Sequence, residues 1–122
     1  MSAKYNGKTP KYRNQRYNGY DSKLEYNRSL YLKNKEKRGE IHDLEEQVRY
    51  ELIPSQKDES GRVIERKTSY VADFRYMLPD GTVVVEDTKS TVSVTPEYTI
   101  KRKLMLWVHG IRIKEVFRAT ED

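Results

Sequence analysis

Short strand-like runs in this chain alternate with two segments of helical period. Residues 48–53 alternate loosely ahead of Pro54, residues 69–77 and 83–89 flank a tight turn, and residues 111–117 alternate as a final strand. Residues 54–62 are polar and predict a hairpin loop with strands on either side. In Asp21-Ser22-Lys23-Leu24-Glu25, Ser22 and Glu25 have capping-box spacing, which predicts a helix running to about Arg38 and stopping at Gly39. Thr95-Pro96-Glu97 is a second start: a cap, a proline suited to the first helical position and an acid in the first turn. Ile100, Leu104, Trp107 and Val108 then keep the helical period up to Gly110. The predicted order is αβββαβ, an α/β fold with a mixed central sheet flanked by helices.

Leu78-Pro79-Asp80-Gly81-Thr82 fixes the register of the central hairpin. It reads as a type I turn with proline second, aspartate third and glycine in the left-handed position of a bulge. Such a loop pairs Leu78 with Thr82, and stepping back along the ladder puts Asp73 opposite Asp87 on one face. Lys89, two residues beyond Asp87, shares that face. Val71, Val83 and Val85 are expected beside them, with Ala72, Phe74 and Val84 on the other face. A strand pair apolar on both faces belongs in the centre of a sheet.

Length and composition narrow what these elements can do. A chain of 122 residues fits one domain with one modest core. The absence of cysteine excludes disulfides, iron–sulfur ligation and thiolate zinc, and two histidines are few for an all-protein zinc cage. Any metal should therefore be oxygen-bound. No apolar run approaches the roughly 20 residues that span a bilayer, and no signal-peptide-like segment is present, so a soluble intracellular protein without membrane contact is expected. The net charge of +5 favours a polyanionic partner. Residues 1–20 lack acids and interleave Lys4, Lys8, Lys11, Arg13 and Arg16 with Tyr5, Tyr12, Tyr17 and Tyr20. This reads as a basic arm whose cations neutralise phosphates and whose rings stack on unpaired bases; a solubilising tail is the plainer alternative. The division is arm 1–20, domain 21–118 and tail 119–122.

Two carboxylates opposite one another on a hairpin repel. A divalent cation, Mg²⁺ or Mn²⁺, would compensate them, since Mg²⁺ commonly binds one or two carboxylates together with waters and phosphate. Lys89 beside them could position or help deprotonate an attacking water and offset charge on the phosphate. The ordinary alternative is a surface ion-pair cluster, against which stands the cost of burying unpaired acids on a central strand pair. Capping alone explains Ser22 and Glu25. Gln47 could contact the site or simply begin a strand. Lys101, Arg102 and Lys103 either touch phosphate or form the wet face of the second helix, and His42 and His109 read as surface residues.

The runs Val71-Ala72-Asp73-Phe74 and Val84-Val85-Glu86-Asp87-Thr88-Lys89-Ser90, with Glu25 on the helix before them, resemble the PD-(D/E)xK nuclease pattern. More narrowly, the chain is similar to short phage proteins related to Holliday junction resolvases and endonuclease I-type enzymes. The similarity covers about residues 11–116, including Tyr12-Arg13-Asn14, Gly39-Glu40-Ile41, Leu44-Glu45-Glu46-Gln47 and Tyr98, Lys101, Lys103 and Leu104. The resemblance implies a restriction-endonuclease-like core. It further implies that Asp73 and Asp87 bind metal, that Lys89 completes the D-x-K element and that Glu25 reaches the site from the first helix. Ala72 stands where the motif's eponymous proline would be, and Glu86 is a competing carboxylate that strand parity turns to the opposite face. The activity implied is Mg²⁺-dependent hydrolysis of DNA phosphodiesters, of branched DNA in recombination or replication, in the cytoplasm of an infected bacterial host. Paired cuts at a junction suit a two-fold homodimer. Lys101 is the helix lysine that the family pattern includes as a DNA contact. The rivals are a nicking or restriction-like nuclease on duplex or single strands, and a non-catalytic nucleic-acid-binding accessory protein.

Overall fold

The computed structural model describes residues 17–90 and 94–122. Lys4, Lys8, Lys11, Arg13 and Arg16 of the expected arm lie outside the described residues. The elements run α1 (Lys23–Lys37), β1 (His42–Ile53), β2 (Gln56–Lys57), β3 (Val63–Glu65), β4 (Thr68–Met77), β5 (Val83–Thr88), α2 (Pro96–His109) and β6 (Lys114–Val116). The fold is α/β, with a four-stranded mixed sheet in the order β1-β4-β5-β6 and two helices packed on it. The polar stretch after Pro54 is more than a loop. It carries the β2–β3 ribbon, a separate exposed two-stranded sheet that adds two strands to the expected six-element order.

Both helix starts form as their capping residues dictate. Ser22 Oγ accepts the Glu25 N–H at 3.0 Å, and Thr95 Oγ1 accepts the Tyr98 N–H at 3.1 Å. At the far end of α2, Gly110 adopts φ +69°, and its N–H caps Leu106 O at 3.0 Å. The central hairpin closes as its turn residues require. Leu78 N–H reaches Thr82 O at 2.8 Å, Gly81 N–H reaches Leu78 O at 2.9 Å, and Gly81 takes the left-handed φ of +91°. The antiparallel ladder pairs Tyr76 with Val84 and Phe74 with Glu86, so Asp73 falls opposite Asp87 one step further on. Through α2 the chain returns as β6, parallel to β5, with Asp87 beside Glu115. β4 and β5 are thus the two inner strands.

Two core clusters result. Tyr98 and Met105 of α2 pack with Leu52, Tyr70, Ala72, Val85 and Ile113, while Leu32 of α1 packs with Ile41, Phe74 and Tyr76. Ala72 and Val85, expected on opposite faces, share the first cluster, and Val83 is exposed near the turn. Of the apolar stripe expected on α2, Leu104 packs against the first cluster, whereas Ile100, Trp107 and Val108 are exposed, Trp107 at 86%. The buried positions are instead Tyr98 and Met105, seven residues apart, with Leu104 partly buried beside them. Tyr98 is hard to read as an inner residue because its ring packs in the core while its hydroxyl donates to Glu115.

On α1 the inward stripe is Glu25, Arg28, Ser29 and Leu32, of which three are polar. Arg28 forms a two-pronged pair with Glu86, Nε to Oε1 at 2.8 Å and Nη2 to Oε2 at 2.7 Å. The Tyr76 hydroxyl also donates to Glu86. Nη1 of Arg28 donates to Ala119 O at 2.9 Å and to Glu121 O. Lys35 Nζ meets Asp122 Oδ1 at 2.8 Å. Residues 119–122, expected as a tail outside the domain, are therefore fastened to α1. Among the described residues, no helix is long and apolar enough to cross a membrane.

Candidate active site

Glu25, Asp73, Asp87 and Lys89 line one cleft of about 430 Å³, together with Asp21, Ser22, Leu24, Thr88 and Ser90. Three elements supply the four side chains: the first turn of α1, the middle of β4, and the end of β5 with the residue that follows it. Side-chain alternation along β5 separates its two acids. Glu86 turns to Arg28 and Tyr76, while Asp87 turns into the cleft. Glu86 is fully buried and held on both oxygens, which removes it from the candidate set.

Asp87 is 5% exposed. Its Oδ1 accepts the Tyr70 hydroxyl at 2.8 Å, and its Oδ2 lies 2.7 Å from Lys89 Nζ. That contact is an ion pair without hydrogen-bond alignment, so Oδ2 is a buried oxygen with no hydrogen-bond partner. Asp73 Oδ2 accepts both the N–H and the hydroxyl of Thr88 at 2.8 Å. Burial and then the charge of Asp87 push the Asp73 carboxyl up to about 6, against the opposing pull of Thr88 and Lys89. Glu25 is 3% exposed, and its Oε2 accepts Gln47 Nε2 at 2.6 Å. Burial first, then Asp73, Asp21, Asp87 and Glu46, push it up to about 7. Ser22 thus caps α1 through its own oxygen, while the Glu25 carboxylate is directed at Gln47 and the cleft.

Gln47 holds Glu25 from a strand position with φ +56°, so it belongs to the site's framework. Lys101 does not line the cleft. It pairs with Glu97 at 3.1 Å and lines a separate groove with Ile53, Lys67 and Leu104. His109 Nε2 contacts Glu51 O at 2.7 Å, and His42 is exposed; neither lines the cleft.

Two tyrosines at the site were not expected there, although Tyr98 stands in the pattern of the second helix that carries the resemblance. Tyr70 sits three residues before Asp73 on β4, a parity that assigns it to the opposite face, yet its hydroxyl reaches Asp87. Tyr98 places its ring centroid 3.5 Å from Lys89 Nζ, and its hydroxyl donates to Glu115 Oε2 at 2.8 Å.

The donor set is all oxygen, as a hard cation requires. Among the described residues no three His, Cys, Asp or Glu side chains form a ready cation cage, so Glu25 does not close a three-carboxylate site with Asp73 and Asp87. Mg²⁺ does not need such a cage, because it commonly keeps several waters and takes one or two carboxylates plus substrate phosphate. The mutual repulsion of the acids suits such an ion.

Over residues 2–119 the chain matches the family described as protein of unknown function (DUF1064), and it belongs to that family. No curated protein and no solved structure matches it.

Proposed function

We propose that this chain is a metal-dependent DNA endonuclease whose α/β core is of the restriction-endonuclease type. The observation that supports it most is the cleft itself: three carboxylates, Glu25 and Asp87 buried and Asp73 half-buried, around one ammonium that lies 2.7 Å from Asp87 Oδ2. Buried like charges are costly to fold around, and such clusters gather where chemistry uses them.

Asp73 and Asp87 would hold Mg²⁺ or Mn²⁺, which lowers the pKa of a water and polarises a phosphate when bound. Thr88 keeps Asp73 in place through two hydrogen bonds, and Tyr70 does the same for Asp87 through one. The Lys89 ammonium offers donors to the attacking water and to a phosphoryl oxygen that gains charge in the transition state. Glu25, pushed up to about 7, exchanges a proton near neutral pH and can accept one from water entering the cleft. The substrate proposed is branched DNA, cut by a two-fold dimer that places one such cleft on each strand. Nicking of supercoiled plasmid with Mg²⁺ tests the activity: the proposal requires nicking that a chelator stops and Asp87→Asn abolishes.

A further inference from the structure

We propose that Tyr98 is a positioning residue for Lys89, its ring serving as the floor on which the ammonium rests and tying the start of α2 to the cleft. The inference extends the nuclease reading, since it rests on Lys89 acting in that cleft. A lysine side chain has four rotatable bonds and much entropy to lose, so a lysine that must hold one geometry needs contacts on more than one side. Lys89 has them. Its Nζ lies 2.7 Å from Asp87 Oδ2 and 3.5 Å from the centroid of the Tyr98 ring. The side chain is 12% exposed, so solvent weakens these contacts little.

The floor is itself anchored at three points. Tyr98 lies in the first turn of α2, where Thr95 Oγ1 accepts its N–H. Its hydroxyl donates to Glu115 Oε2, which also accepts from Arg102 Nη1 at 2.8 Å. Its ring leans on Tyr70 at a centroid distance of 6.4 Å, and the Tyr70 hydroxyl returns to Asp87. The contacts close a circuit from Asp87 through Lys89, Tyr98 and Tyr70 back to Asp87. A ring that merely filled the core would be covered by aliphatic groups, whereas this face carries a cation.

Two measurements test the assignment, one of position and one of rate. In the NMR spectrum of the full-length wild-type protein, the Lys89 ε-methylene protons should be shifted upfield by the Tyr98 ring current. Tyr98→Phe should keep that shift and Tyr98→Leu should lose it. In single-turnover cleavage at saturating DNA and Mg²⁺, Tyr98→Leu should slow the reaction about 2- to 30-fold, the range of a cation–π contact, with DNA affinity held. Tyr98→Phe should recover most of the rate, and Tyr98→Leu should cause no further loss in a Lys89→Ala background. An unshifted Lys89 resonance in the wild type would overturn the proposal without any variant having to fold. So would an undiminished effect of Tyr98→Leu when Lys89 is already gone, which marks a packing role. A wild type that shows the shift but cuts no DNA would sink the nuclease reading while upholding Tyr98 as the residue that holds Lys89.

Discussion

Lys89 Nζ lies 2.7 Å from Asp87 Oδ2, two residues apart where β5 ends. Among the described residues, it is the one cationic side chain lining a cleft that also holds Glu25, Asp73 and Asp21. Among the described residues Glu25, Asp73 and Asp87 share that one ammonium, and burial together with their mutual repulsion pushes Asp73 and Glu25 up toward neutrality. The proposed chemistry follows from that imbalance.

Removing the ammonium should damage the reaction more than the binding. Lys89→Ala is expected to slow single-turnover cleavage by about 100- to 10,000-fold, the range of acid–base and charge-stabilising groups, with a small change in DNA affinity. A variant that binds DNA weakly but cuts at the wild-type rate once saturated would make Lys89 an anchor instead.

Glu25 should leave a pH signature in stability. Its folded pKa of about 7 lies above the ordinary 4.5, so the folded protein binds the extra proton. The stability tied to it is present below about pH 4.5 and lost as pH rises through 7. Glu25→Gln removes the penalty. The variant should melt higher than wild type at pH 8 and gain nothing at pH 4.5, and saturating Mg²⁺ should narrow the gap at pH 8. Equal melting of the two proteins across that window would show that Glu25 is not a strained acid.

The buried pair below the cleft is a matter of folding. Arg28→Met leaves Glu86, fully buried, without its guanidinium, and breaking such pairs typically costs about 3–5 kcal/mol. Replacing Glu86 with leucine in the same chain should restore most of the loss. Denaturant melts of the single and double variants check this, and a near-neutral Arg28→Met would mean the pair is not what fastens α1 to the sheet.

The parts of this molecule set by local chemistry were legible from residue order. Ser22, Thr95 and the Pro79-Asp80-Gly81 turn each fix their neighbours through contacts a few residues long, and the turn carries the register that sets Asp73 opposite Asp87. What was not legible depends on contacts distant in sequence. Arg28 finds Glu86 across 58 residues, and nothing in the helical pattern of α1 marks an arginine as its largest fully buried side chain. The outward Trp107 misleads for a related reason, since apolar spacing identifies a stripe but not its direction. Tyr98 and Tyr70 join the site through a ring and a hydroxyl, although strand parity assigns Tyr70 to the other face and Tyr98 lies off the apolar stripe of α2.

Substitution of the facing acids separates binding from cutting. Asp73→Asn keeps an acceptor for Thr88 and removes a charge, so it should lose Mg²⁺-dependent cleavage while binding DNA as tightly as wild type or tighter, because one repulsion of the phosphates is gone. Loss of both binding and cutting, in a variant that still melts cooperatively, would argue for a structural acid.

The most direct measurement sets four end-labelled DNAs, a four-way junction, a flap, a plain duplex and a single strand, against the protein in Mg²⁺ and in chelator, with Asp87→Asn beside the wild type. The account predicts strand cleavage that is strongest on the junction or the flap, absent in chelator and absent with Asp87→Asn. Intact DNA in every lane, or cutting that survives both chelator and Asp87→Asn, would contradict it.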